Sequence, residues 1–319
     1  MTDIIKNRSE ILFCYDVTDA NPNGDPLDGN KPRIDEETKI NLVTDVRLKR
    51  TVRDYLYAYK GYNDQNNRDI FVREIESENG LQDGKARAKN FGSNSKTIID
   101  RCIDIRLFGG VIPLEDKDAG NSKSITYTGP IQFKMGRSLN KVELKYIKGT
   151  GAFASKEGKS QNTFREEYVL PYSFIVFHGI INEKAAENTQ LKEEDVKDFM
   201  EALWNGTKNL ISRSKFGQMP RFLLKVTYKE DSKGFFIGDL EKKIKLANPN
   251  AESESTNEIN DYQVRSTNDF KLDISELVKA LNSDKVEKVE YCKCSTFNTI
   301  PNIPSNWHEM TPEWEEVKK

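Results

Sequence analysis

Glu10-Ile11-Leu12-Phe13-Cys14-Tyr15-Asp16-Val17 is the stretch on which the reading of this chain turns. A run so rich in β-formers reads as a buried strand. The next residues cannot continue it. Ala20-Asn21-Pro22-Asn23-Gly24-Asp25-Pro26-Leu27-Asp28-Gly29-Asn30 is so dense in Pro, Asn and Gly that only turns fit. Beyond the turns, Leu48, Val52, Tyr55, Leu56 and Tyr59 recur at helical spacing, which predicts a helix over 45–59. Thr44 is placed to cap it, and Asp45 suits the positive end of its dipole.

Further strands and a second helix follow downstream. Residues 124–139 read as a strand, and 168–181 as the strongest strand of all, with Pro171 implying a bend or an edge. Val196, Phe199, Met200, Leu203, Leu210 and Ile211 keep the 3.6 period over 192–212. Residues 221–228 form a last strand. Two stretches look like additions. Residues 62–95 are polar and rich in Gly and Asn, an exposed insertion, followed by a short helix over 97–108 that stops at Gly109-Gly110. Residues 136–163 are basic and Gly/Ser-rich and read as a projecting hairpin. Without these additions the order is β-α-β-β-α-β. The expected class is therefore α+β, an RRM-like (ferredoxin-like) palm over 1–229, with an insertion at about 61–123 and a hairpin at about 136–165. Residues 230–319 read as an acidic C-terminal subdomain.

With 36% hydrophobic residues the chain can build a core, and no apolar stretch approaches the ~20 residues of a bilayer span. Met1-Thr2-Asp3-Ile4-Ile5-Lys6 has no signal pattern, so a soluble cytoplasmic protein without membrane contact is expected. The net charge of −2 hides a division. Residues 230–319 carry 12 basic and 18 acidic side chains, net −6, which leaves +4 for 1–229. Six basic and no acidic residues lie in 208–229, and eight basic residues in 131–165 face only Glu143 and Glu157. Local basic clusters under a neutral total suit a groove that tracks phosphates, although any one of them alone reads as a solvated face.

Catalytic signals are weak. His178 lies in an apolar strand, where a core histidine is the simpler reading, and His308 lies in a Pro-rich tail. No nucleophile elbow, P-loop or zincin motif occurs. Asp16, Asp19, Asp25 and Asp28 could gather Mg²⁺, but their spacing is not diagnostic. Residues 19–24 match the first half of a calcium loop, yet its twelfth position is Asn30. Cys292 and Cys294 form a lone C-x-C that reads as two residues on one strand face. No catalytic residue, metal or cofactor is expected. RNA binding gains from coincidence instead. The loop carrying Lys31 and Arg33 feeds the N-terminus of a helix with Lys49 and Arg53 on one flank, and helix N-termini and paired cations both suit phosphates.

Several segments together resemble a known family. They are Phe13-Cys14-Tyr15-Asp16-Val17, Asn21-Pro22-Asn23-Gly24-Asp25-Pro26, Pro32-Arg33-Ile34-Asp35 and Val43-Thr44-Asp45-Val46-Arg47-Leu48-Lys49-Arg50-Thr51-Val52-Arg53. Asp104-Ile105-Arg106-Leu107-Phe108-Gly109, Gly129-Pro130-Ile131-Gln132, Arg137-Ser138, Pro171-Tyr172, His178-Gly179, Arg213-Ser214 and Arg221 extend the match from Ile11 to about Tyr228. The pattern resembles the repeated backbone subunit of type I CRISPR Cascade complexes, subtype I-B more than I-C. The resemblance implies a right-hand shape of palm, finger insertion and thumb hairpin. Copies would stack along one CRISPR RNA, each thumb displacing a nucleotide, so that guide segments are presented to target DNA. The implied partners are CRISPR RNA, target DNA through the guide, further copies of the chain and other Cascade subunits. By position, Thr44, Lys49 and Arg53 correspond to the helix-entry RNA contacts, with Val46 where some relatives carry Gln. Lys31 and Arg33 fall in the approach loop, Gln132 and Arg137 on the palm strand, and Phe153 or Met135 as the wedge. Arg47, Arg50, Lys148, Arg213 and Lys215 complete the candidate set. The alternative is the related type III activity, Mg²⁺-dependent cleavage of target RNA by a loop aspartate, Asp25 or Asp28.

Overall fold

The computed structural model describes residues 4–78, 80–115, 122–154, 162–250 and 259–311, with backbone alone at 115, 122–123, 150–154 and 162–165. The strand expected first runs over Ser9–Ala20 and lies inside a nine-stranded sheet. It pairs antiparallel with Gln218–Tyr228 on one side and with Asn162–Ile181 on the other. Beyond Gln218–Tyr228 come Val286–Lys293, antiparallel, and the short parallel strand His308–Glu309. The far side of Asn162–Ile181 is shared by Ile131–Phe133, Gly136–Lys141 and Lys145–Ala154 in turn. Gly136–Lys141 also pairs with Ile40–Val43 at the outer edge.

The first strand is apolar throughout because both its faces are covered. Side chains alternate across a strand. Phe13, Tyr15 and Val17 point to a layer made by helices Asp45–Tyr59 and Glu193–Lys208, which bring Leu48, Val52 and Leu56, and Val196, Phe199 and Leu203. Leu12 and Cys14 point the other way, into a core shared with Leu240, Phe270, Leu272, Leu277 and Phe297. The residues after Glu230 therefore cover the second face and add two strands to the main sheet. Their apolar residues are scattered singly through polar sequence, so periodicity did not reveal them.

Helix Asp45–Tyr59 has the bounds and the Thr44 cap that its sequence predicts. The second helix stops at Lys208 rather than at 212, and Ile211 is left exposed. Asn162–Ile181 runs straight through Pro171. The proline sits in the gap between the pairings made by Lys145–Ala154 and Gly136–Lys141, and opposite it Asp19 takes a positive φ of 47°. The Asp19–Pro171 position is the one left out of the pairing with the first strand.

The insertion is not merely exposed. Phe71, Ala88, Phe91, Ile98, Ile99, Cys102, Ile105 and Ile112 make a small core of their own. The stretch read as one strand over 124–139 is split. Ser122–Thr128 pairs with Gly109–Glu115 inside the insertion, and only after Pro130 does the chain rejoin the sheet. Gly109 makes this return possible: its φ is +66°, and a Cβ there would lie 2.1 Å from the Tyr127 carbonyl oxygen. The hairpin expected over 136–163 begins later, because Gly136–Lys141 belongs to the sheet. Its arms pair from Lys145 opposite Val169 to Ala154 opposite Asn162. No helix among the described residues is long and apolar enough to cross a membrane.

Candidate nucleic-acid interface

The Asn/Pro/Gly loop is built to close on the helix start. Asn23 Oδ1 accepts from both the Thr44 backbone N–H (2.8 Å) and its hydroxyl (2.9 Å), while Thr44 accepts from the Arg47 N–H (3.3 Å). The Asn21 side-chain amide donates to the Asn30 carbonyl at 2.6 Å. Gly24 has no room for a side chain, since a Cβ would meet Asn30 Oδ1 at 2.1 Å. The result is a fixed loop beside the positive end of a 15-residue helix.

Two grooves adjoin at Thr44. The first, of about 700 Å³, lies between the helix and the insertion; Arg47, Arg50, Arg53, Arg73 and Arg87 line it against Glu74 and Asp83. The second, of about 1000 Å³, lies between the loop and the root of the hairpin, and includes Lys31, Arg33, Met135 and Leu144. Thr44, Arg47, Arg50 and Arg53 thus meet in one groove, and Lys31, Arg33 and Met135 in the other.

Many of the expected cations already have carboxylate partners. Lys31 binds Asp28 at 2.7 Å and lies over the Tyr168 ring, and Arg33 binds Asp25 at 2.6 Å. Lys49 binds Asp45 (2.9 Å) and donates to Gln132 (3.3 Å). Arg50 binds Asp54, and Arg137 binds Asp35. Arg53 binds Asp104, whose carboxylate is fully buried and also accepts from the Phe71 and Val72 N–H groups. Lys49 and Arg53 do share a flank, but Asp104 makes its Arg53 end a joint to the insertion, while Lys49 is held by Asp45 of its own helix and by Gln132. Lys148 is exposed on the hairpin beside Tyr146, and Arg213 is exposed. The Phe153 side chain lies outside the described residues.

Arg47 and Lys215 are different. Among the described residues neither makes an ion pair. Arg47 is half-buried, donates to the Thr51 hydroxyl (3.2 Å), and keeps a buried Nε without a partner. Lys215 donates to the Asn21 carbonyl (3.1 Å). Burial, and then the nearby Arg47 guanidinium, pushes the Lys215 ammonium down to about 8. Burial likewise lowers Arg47. Arg47 feels the Asp54 carboxylate without binding it, and Lys215 feels the Arg47 guanidinium, so two partly desolvated cations lie near each other and an anion would relieve their repulsion.

Sequence reading missed Arg73 and Lys39, which sit in an insertion and a turn where charge carries no local signal. Asp25 and Asp28 shape the loop through their ion pairs and through backbone bonds such as Leu27 N–H to Asp25 (3.0 Å). Among the described residues no three of His, Cys, Asp or Glu gather as a metal-ligand set. His178 lies between Glu10 (2.7 Å) and Glu241 (2.9 Å). Cys292 and Cys294 do not share a face. The strand ends at Lys293, so Cys292 is buried on the helix side while Cys294 turns toward Arg221 and Thr296.

Comparison with known proteins adds a separate line. A family model described as CRISPR-associated protein Cas7 matches residues 7–267. A Haloferax volcanii protein, "CRISPR-associated protein Cas7", is 32% identical over 308 residues, covering 88% of this chain and 85% of its own. A chain of a structure titled "CRISPR RNA-guided surveillance complex, pre-nicking" superposes with a TM-score of 0.56 at 12% identity, over 96% of this chain and 97% of that one. A chain of another, "CRISPR RNA-guided surveillance complex", gives 0.51 at 13% identity over 96% of each. At these identities the two structures share the fold.

Proposed function

The chain belongs to the family of CRISPR-associated protein Cas7, and from that premise we propose that it is a non-catalytic structural subunit that oligomerises along CRISPR RNA. In this reading it presents guide segments for pairing with target DNA in antiviral defence, alongside other Cascade subunits, in a complex of subtype I-B. Residues 1–229 form an RRM-like palm with finger and thumb. Its support is the strand order Gln218–Tyr228, Ser9–Ala20, Asn162–Ile181, Gly136–Lys141, with both long helices on one face. Beyond residue 229, the described residues 230–250 and 259–311 form a layer behind the palm.

The observation that carries the reading is that Arg47 and Lys215, at the capped helix start, make no ion pair among the described residues, beside a groove whose other arginines, Arg50, Arg53, Arg73 and Arg87, bind carboxylates. Such a surface holds phosphates and is indifferent to sequence. Sequence is then read by the guide's own base pairing. The candidate contacts are Thr44, Arg47, Arg50 and Arg53 along this groove, with Lys215 beside it. Lys31, Arg33, Lys49, Gln132 and Arg137 serve chiefly to hold the loop, helix and palm strand in register.

The test is RNA binding by the full chain across a salt series. Tight binding at low salt that falls steeply with added salt is expected. The double variant Arg47→Ala with Lys215→Ala should bind about ten- to a hundredfold more weakly, with the log–log salt slope shallower by about 1.4. No RNA bound at low salt, or an unchanged slope in the variant, overturns the reading. Regularly spaced Mg²⁺-dependent cuts in complementary RNA, lost in Asp25→Asn or Asp28→Asn, would replace it with an RNase.

A further inference from the structure

The main sheet ends beyond Val286–Lys293 in the two-residue strand His308–Glu309. Between that edge and helix Glu193–Lys208 lies a groove of about 460 Å³. Met200 and Trp204 of the helix, Leu223 and Cys292 of the sheet, and Met310 beyond the last strand form its apolar walls. Its rim is mixed, with four glutamates and two lysines, and Lys225 is held by Glu290 and Glu201 by Lys60. Apolar surface, rather than charge, therefore selects what the groove takes.

The chain itself crosses the sheet edge at this point. Trp307 is buried in the core on the C-terminal face, with Leu240 and Phe297, whereas Met310 packs against the core on the helix face. Pairing fixes the crossing. His308 and Glu309 lie parallel to Glu290 and Tyr291, and the Met310 N–H donates to the Tyr291 carbonyl at 2.6 Å. Thr311, the last described residue, is already part of the groove wall. Pro312-Glu313-Trp314-Glu315-Glu316-Val317-Lys318-Lys319 follow in the sequence and lie outside the described residues. Five of these eight are charged, and Trp314 is the one aromatic residue among them. It stands three residues past the wall, a reach of at most about 10 Å.

We propose that Trp314 of the same chain seats in this groove, against Met200, Trp204 and Met310, and so clasps the C-terminal layer to the helix layer around the edge of the sheet. An indole brings a large, flat apolar area, which is what these walls can cover. A two-residue strand at a sheet edge is weakly held by its own pairing, and the clasp secures it. It also shields the edge from pairing with another chain. The clasp does not depend on RNA binding.

The chain has three tryptophans, and Trp204 and Trp307 are both buried. A tryptophan that acrylamide quenches freely in the folded chain is therefore Trp314. Full-length protein is compared as wild type, Trp314→Ala, Trp314→Phe, Met200→Ala and the double variant Trp314→Ala with Met200→Ala. Wild type should show no freely quenched tryptophan until urea unfolds it. Trp314→Ala should lower the melting temperature by about 5 °C, and Trp314→Phe by less. The double variant should melt less far below wild type than the two single shifts added together, because both act in one contact. A freely quenched component in folded wild type that Trp314→Ala removes overturns the proposal, and so do strictly additive shifts. Free quenching that appears only on dilution of wild type, with the fold intact, would seat Trp314 in a second copy and overturn a clasp within one chain.

Discussion

His178 lies against Glu10 on one side and Glu241 on the other, and Glu10 also accepts from the Tyr228 hydroxyl and the Ile237 and Gly238 N–H groups. Lys134 closes the group by binding Asp239 and Glu241. Burial by itself would lower the His178 imidazole, but the two carboxylates outweigh it and raise the ring above its ordinary value of 6.5. Burial opposes ionisation of Glu241 as well, yet His178 and Lys134 hold it down at about 2, and Glu10 is lowered by the same logic. A raised histidine stabilises the fold below 6.5, and that contribution is lost as pH rises through the folded value. Lowered carboxylates stabilise above about 4.5, and theirs is lost as pH falls toward 2. His178→Gln should therefore cost about 2 kcal/mol near pH 5–6, with the gap to wild type narrowing as pH rises. Urea denaturation at a series of pH values reads this, and a gap constant from pH 5 to 9 would contradict it.

The joint between helix Asp45–Tyr59 and the insertion depends on one carboxylate. Asp104 is buried and accepts from Arg53 and from two backbone N–H groups. Removing it strands three donors, whereas removing Arg53 leaves a carboxylate still held by the backbone. Asp104→Ala should cost about 3–5 kcal/mol and Arg53→Ala about half of that, by denaturant unfolding. If the order is reversed, Arg53 is not chiefly a partner of Asp104. The helix itself was legible in advance because its signals are local: an apolar stripe, a Thr44 cap and an acidic first turn. The long apolar strands were legible for the same reason. The insertion's core was not, since Phe71, Phe91 and Ile112 follow no period, and its buried Arg87–Asp69 pair looks polar in sequence. At the site, helix phase put Lys49 and Arg53 on one flank correctly but could not show that Asp104 faces Arg53. Arg47 stood out less in the sequence than in space, because its neighbour Lys215 is 168 positions away.

The sheet is one layer among three, and the third comes entirely from residues that composition sets apart as acidic. Ending the chain after Lys229 would uncover Leu12, Cys14, Phe174, Val176, Phe222, Leu224 and Val226, all buried on the face that this layer covers. At about 1.5–3 kcal/mol for each large side chain, the loss is on the order of 10 kcal/mol, comparable with the net stability of a whole domain. It would also leave Gln218–Tyr228 as a bare edge, since its outer partner is Val286–Lys293, and unpaired edges of apolar strands aggregate. Glu10 would lose the Ile237 and Gly238 N–H groups that help to hold its charge inside. A 1–229 fragment is therefore expected to be aggregated or to bind hydrophobic dye, without a cooperative unfolding transition, although it contains nearly all of the basic grooves. Size-exclusion chromatography and thermal unfolding of the fragment beside the full chain test this. A monodisperse fragment with a sharp transition would mean that the palm folds by itself.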